Sequence, residues 1–94
     1  MKRIAILGST GSIGRSTLSI VESYPDKFQV VTMAAGTNLE LALEQACRWR
    51  PKILSVANEK DADALRTQLR KAGLGSIDVA FGARGTVAVA THPK

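Results

Sequence analysis

Several features that would narrow a protein's class at once are scarce in this sequence. Cys47 is its one cysteine, so no disulfide can form within the chain, which suits a reducing, cytoplasmic setting. Cys47 stands mid-helix beside Ala46 with no base near it in sequence, so a small packed residue is expected there, not a nucleophile. Four aromatics (Tyr24, Phe28, Trp49 and Phe81) leave the core to Ile, Leu, Val and Ala, which favours strands and helices packed in layers. They also leave little for base stacking. The 13 basic residues are scattered, with no run longer than two, so the net charge of +5 reads as a solvated surface and nucleic acid is not an expected partner. No apolar run approaches membrane-spanning length, and the opening MKRIAILG is too short and too promptly followed by glycines for a secretory signal; no membrane is expected as a partner. The single histidine, His92, precedes a proline and reads as a loop residue.

What is present points to one folded domain. At 94 residues with 45% apolar and 22% charged residues, the chain can build a modest core. Residues 3–7 (RIAIL) read as a strand buried on both faces, and from Ser12 the positions Ile13, Thr17, Ile20, Val21 and Tyr24 recur at helical spacing until Pro25. FQVVTMA at 28–34 is a second strand, followed by the turn AGTN at 35–38. A second helix carries Leu39, Ala42, Leu43 and Ala46 on one stripe; either Thr37, in a capping box with Glu40, or Asn38 caps it, and Pro51 closes it. KILSVA at 52–57 is a third strand, and Asn58 caps a helix with the stripe Ala62, Leu65, Leu69 and Ala72, stopped by Gly73. SIDVAF at 76–81 alternates, as a strand near a sheet edge does, and a short helix is expected over about residues 84–90 before Pro93. Strands alternating with helices give an α/β, Rossmann-like, doubly wound and mainly parallel sheet. The strand that would flank the first one on its other side is missing, so a fragment truncated before it is expected.

The stretch GSTGSIGRST, residues 8–17, lies between the first strand and the first helix, the context in which a glycine fingerprint carries weight. Unpaired amides and the positive end of the helix dipole make that entrance a place where a pyrophosphate can be held by main chain. Gly8 would turn the chain off the strand, Gly11 would let a ligand approach, and Gly14 would let the helix pack close. Ser9, Thr10 and Ser12 add hydroxyl donors. A kinase-type P-loop fits worse, because Ser9 stands where its first glycine belongs and Arg15 where its lysine belongs. NAD-specific domains place an acid about 20 positions past the loop. Here the region reads Met33 to Asn38 with no carboxylate, so a 2′-phosphate meets no repulsion and finds donors in Thr37, Asn38 and the Gly36 amide. NADPH is the expected dinucleotide.

ILGSTGSIGRSTL at 6–18, VVTMAAGTN at 30–38 and the closing ATHPK together resemble the N-terminus of 1-deoxy-D-xylulose 5-phosphate reductoisomerases. The resemblance runs from Met1 to Lys94 but takes in only the opening part of a full-length member. It implies a homodimeric enzyme of the non-mevalonate isoprenoid pathway that rearranges and reduces its sugar-phosphate substrate to 2-C-methyl-D-erythritol 4-phosphate, using NADPH and Mg²⁺ or Mn²⁺. Carried onto this chain, Thr10, Gly11, Ser12 and Ile13 resemble the residues that hold the cofactor's phosphates, and Gly36, Thr37 and Asn38 those around its 2′-phosphate. Position 37 is often basic in the family, so Thr37 removes a charge from that subsite. The family's metal-binding carboxylates, substrate-phosphate residues and lid lie beyond residue 94. Asp26, Asp61, Asp63 and Asp78 read as capping and solvated carboxylates. Residues 1–94 are thus expected to be an NADPH-binding fragment, inactive alone. The alternative is a free-standing NADP(H)-binding or sensing module without catalysis.

Overall fold

The computed structural model describes residues 1–93. Eight elements alternate along the chain: β1 (Lys2–Leu7), α1 (Ser12–Ser23), β2 (Phe28–Ala34), α2 (Leu39–Trp49), β3 (Ile53–Val56), α3 (Glu59–Lys71), β4 (Asp78–Phe81) and α4 (Gly82–Thr91). All neighbouring strands are parallel, in the order β1-β2-β3-β4. Each strand lies beside the one before it, and right-handed crossovers repeated in one direction place successive helices on one face.

The side-chain pleat separates two faces. Ile6, Val30, Met33, Leu54 and Val56 point to the face where Leu18 and Val21 of α1, Ala46 of α2 and Ala62, Leu65 and Leu69 of α3 complete the core. The opposite face carries Thr32, Ser55 and Ala80, and α4 lies across it. Thr32 Oγ1 donates to the Val89 carbonyl at 2.8 Å, and Gly85 sits directly against Ser55 and Ala80. Helices on both faces make the sheet doubly wound.

One irregularity governs the site. Between Ile4 and Ala5 the β1–β2 register jumps, so that Ile4 pairs with Val30 and Ala5 with Thr32, leaving Val31 as an extra residue in β2. The bulge reverses the pleat, which is why Val30 and Met33 share a face and why residues 30–34 are all buried.

Caps and breaks follow the sequence closely. Asn38 Oδ1 accepts from the Leu41 amide, so Asn38 and not Thr37 caps α2, and Asn58 Oδ1 accepts from Asp61 in the same way for α3. At the end of α3, Leu74 donates to the Leu69 carbonyl around Gly73 at φ +77°, a left-handed stop. The fourth helix begins at Gly82, two residues earlier than position 84, and β4 is an edge strand as its alternation suggests.

Several expectations are corrected, among them Ala72, which is exposed at the end of α3 and does not complete its buried stripe. β1 is not buried on both faces: it is the other edge strand, only Ile6 of it is buried, and Leu7 is 55% exposed. The buried stripe of α1 is Gly14, Leu18 and Val21, whereas Ile13, Ile20 and Tyr24 face outward, because the contact of Gly14 with the strand end rotates the helix. Cys47 is exposed; Ala46 and Gln45 take the buried positions on α2. No helix among the described residues is long and apolar enough to cross a membrane.

Candidate dinucleotide site

The two glycine-bearing turns meet at the C-terminal ends of β1 and β2, where parallel α/β sheets bind ligands. The first turn starts at Gly8, whose φ of +71° is left-handed and suits glycine. Gly11 donates back to the Gly8 carbonyl at 3.0 Å and Arg15 donates to the Gly11 carbonyl, which winds the loop into α1. The amides of Ser12, Ile13 and Gly14 have no backbone acceptor among the described residues, as the first turn of a helix dictates. Gly11, Ser12 and Ile13 are exposed, so these donors open toward solvent at the positive end of the α1 dipole.

The three glycines differ in what demands them. A Cβ on Gly14 would collide with the Gly8 carbonyl and the Ser9 backbone, so the close approach of helix to strand end excludes any side chain. Gly8 is set by its backbone angle. At Gly11, with φ −81°, a Cβ would meet only the Gly8 carbonyl, at an ordinary 3.4 Å. Nothing inside the fold requires glycine there.

The second turn is tied to the first. Thr10 Oγ1 accepts from the Gly36 amide at 2.8 Å, and the Ser9 amide donates to the Ala34 carbonyl at the same distance. The Gly36 amide, expected as a donor to a phosphate, is therefore already engaged. Ser9 is fully buried and its Oγ has no partner among the described residues, so its hydroxyl lies beneath the loop and not in the cleft. Thr37 and Asn38 are exposed beside it.

Two residues near this site were not singled out by sequence. Gln45, on the buried stripe of α2, donates from Nε2 to the Ser9 carbonyl at 2.7 Å. Its signal was a long polar side chain one position before Ala46 on an otherwise apolar stripe. Arg15 joins Asn38, Glu40, Leu41 and Glu44 around a shallow hollow of about 320 Å³ between the entrances of α1 and α2. No cluster of three or more His, Cys, Asp or Glu fit to hold a metal occurs among the described residues.

A family model described as 1-deoxy-D-xylulose 5-phosphate reductoisomerase matches residues 4–94. The chain belongs to this family. The reductoisomerase of Symbiobacterium thermophilum is 48% identical over 94 residues, covering 99% of this chain but 24% of its own length. Among solved structures, a DOX-P reductoisomerase in complex with NADPH, fosmidomycin and magnesium superposes with a TM-score of 0.91 at 26% identity, over 98% of this chain and 22% of that one. The Zymomonas mobilis reductoisomerase in complex with NADPH gives a TM-score of 0.85 at 31% identity, over 97% and 23% of the two chains. The chain thus spans about a quarter of the length of the curated reductoisomerases it matches. The α/β fold read from the sequence is the fold of these family structures.

Proposed function

We propose that residues 1–94 form the NADPH-binding part of an enzyme that converts 1-deoxy-D-xylulose 5-phosphate to 2-C-methyl-D-erythritol 4-phosphate. The cofactor pyrophosphate lies over Gly8, Ser9, Thr10, Gly11, Ser12, Ile13 and Gly14, held by the free amides at the α1 entrance and by the Ser12 hydroxyl. Ser9 lies beneath the ligand and shapes the loop, its amide engaged by the Ala34 carbonyl and its own carbonyl by Gln45. The 2′-phosphate lies at Gly36, Thr37 and Asn38, where Thr37 Oγ1 and Asn38 Nδ2 are the side-chain donors. The Gly36 amide serves as the strut to Thr10. Bound there, NADPH supplies the hydride of the reduction, while this chain supplies position and electrostatics.

The observation that carries this reading is the asymmetry of the glycines. Gly8 and Gly14 are demanded by the fold; Gly11 is not, yet it sits bare at the mouth of a helix whose first amides are unpaired. A side chain missing where the fold has room for one leaves space for a ligand oxygen to reach the backbone. The relatives solved with NADPH support the choice of cofactor. The ligands for Mg²⁺ or Mn²⁺, the catalytic residues and the sugar-phosphate site belong to the remaining three quarters of a full-length, homodimeric, cytoplasmic enzyme. The fragment is inactive alone.

Amide NMR titration of the chain tests the reading. NADPH shifts residues 8–14 and 36–38 and binds more tightly than NADH. Equal responses to the two nucleotides, or shifts elsewhere, would falsify it.

A further inference from the structure

Gln45 lies outside the glycine loop in sequence yet makes a side-chain contact that reaches under it. The residue is 7% exposed, and its Nε2 stands 2.7 Å from the Ser9 carbonyl. A carbonyl only accepts, so the amide nitrogen and not the oxygen must face it. Ser9 is itself fully buried, and its own amide is fixed to the Ala34 carbonyl. The Ser9–Thr10 peptide is therefore held on its inner side by a bond from a neighbouring helix.

In a planar trans peptide the carbonyl and the following N–H point in opposite directions. A Ser9 carbonyl drawn inward to α2 sends the Thr10 N–H outward, and that amide has no acceptor among the described residues. We infer that Gln45 is a positioning residue for dinucleotide binding: by holding the Ser9 carbonyl inside the protein, it aims the Thr10 amide at the pyrophosphate. This inference rests on the reading of the site given above. Without the Gln45 donor, the buried carbonyl loses its partner and gains by turning outward to water, which rotates the Thr10 amide away from the ligand. Gln45 touches no ligand itself.

The test compares the chain with its Gln45→Met and Gln45→Glu variants. Both side chains match glutamine in length and lack a nitrogen donor. Two ligands are titrated by amide shifts: NADP⁺, which contains the pyrophosphate, and 2′-AMP, which carries only the 2′-phosphate. ¹⁵N relaxation of Thr10 is measured without ligand. The expected result is NADP⁺ affinity about tenfold weaker in the variants, 2′-AMP affinity unchanged, and a Thr10 amide rigid in the parent chain but mobile in the variants. A general packing defect would weaken both ligands together, and that parallel loss overturns the inference, as does unchanged NADP⁺ affinity in Gln45→Met. Should the parent chain fail to respond to NADP⁺, the cofactor reading falls. The ligand-free order of Thr10 then decides the Gln45 role separately, and an equally rigid amide in the variants overturns it.

Discussion

Gly14 and Gly11 stand three residues apart and respond to opposite constraints. At Gly14 an added methyl meets backbone on the other side, and backbone cannot swing aside as a side-chain tip can. Gly14→Ala is expected to cost about 2–3 kcal/mol, as overpacking of a tight contact does, read as a fall in the thermal midpoint of the chain. Gly11→Val should cost less, about 1 kcal/mol or under, the loss on exchanging an N-cap glycine for an apolar residue. The same variant is expected to weaken NADPH binding tenfold or more by calorimetry. Equal stability losses in the two variants would remove the distinction between a packing glycine and a cradle glycine. Thr37→Lys adds a cation to the exposed 36–38 turn; a gain of about 0.5–1 kcal/mol, the scale of an exposed charge pair, should appear for NADPH and not for NADH. At this scale the turn at Gly8 and the close packing at Gly14 were legible in the sequence because both follow from strand-to-helix context. The engagement of the Gly36 amide, the burial of Ser9 and the reach of Gln45 were not legible, because each depends on where two segments distant in sequence touch.

Between elements, the contact most exposed to perturbation is α4 against the sheet. The three helices on the other face share a core of branched side chains, but α4 approaches a surface of small residues, with Gly85 against Ser55 and Ala80. A methyl at position 85 would collide with the Ser55 hydroxyl, itself buried and without a hydrogen-bond partner among the described residues. Gly85→Ala should therefore lift α4 and cost about 1–3 kcal/mol, with faster amide exchange in residues 82–91 than in α2. Uniform exchange across the helices would contradict it. Element existence and order could be read from periodicity and from Asn58, Gly73 and the prolines, since caps and breakers act locally. The buried face of α1 could not, because Ile13 and Ile20 are more apolar than Gly14, and only the approach to Gly8 turns the glycine inward.

Across the whole molecule, a guarded sheet edge contrasts with an open apolar hollow. At the β4 edge, Arg66 bonds to the Val79 carbonyl at 2.9 Å and to Asp63 at 2.8 Å, so a charged side chain covers part of the ladder. Elsewhere Ile20 of α1 and Tyr24, 58% and 50% exposed, line a shallow, largely apolar hollow with Lys27 and Phe28. Ile20→Lys is expected to raise the concentration at which light scattering sets in while leaving the thermal midpoint within about 3 °C, since a surface change lies within about 0.5 kcal/mol. An unchanged scattering threshold would show that this hollow does not drive association. The extra residue at Val31 has a consequence on the same scale. Loss of that single codon would leave composition and average hydropathy almost untouched, yet would restore an unbroken alternation along β2. Val30, Thr32 and Met33 would keep Ile4, Ala5 and Ile6 as partners on the same faces, and the Ala34 carbonyl would still receive the Ser9 amide, while the Lys52 amide would lose the Val31 carbonyl it donates to. A frame-preserving deletion there would thus straighten one strand while sparing the faces that build the core and the nucleotide cleft.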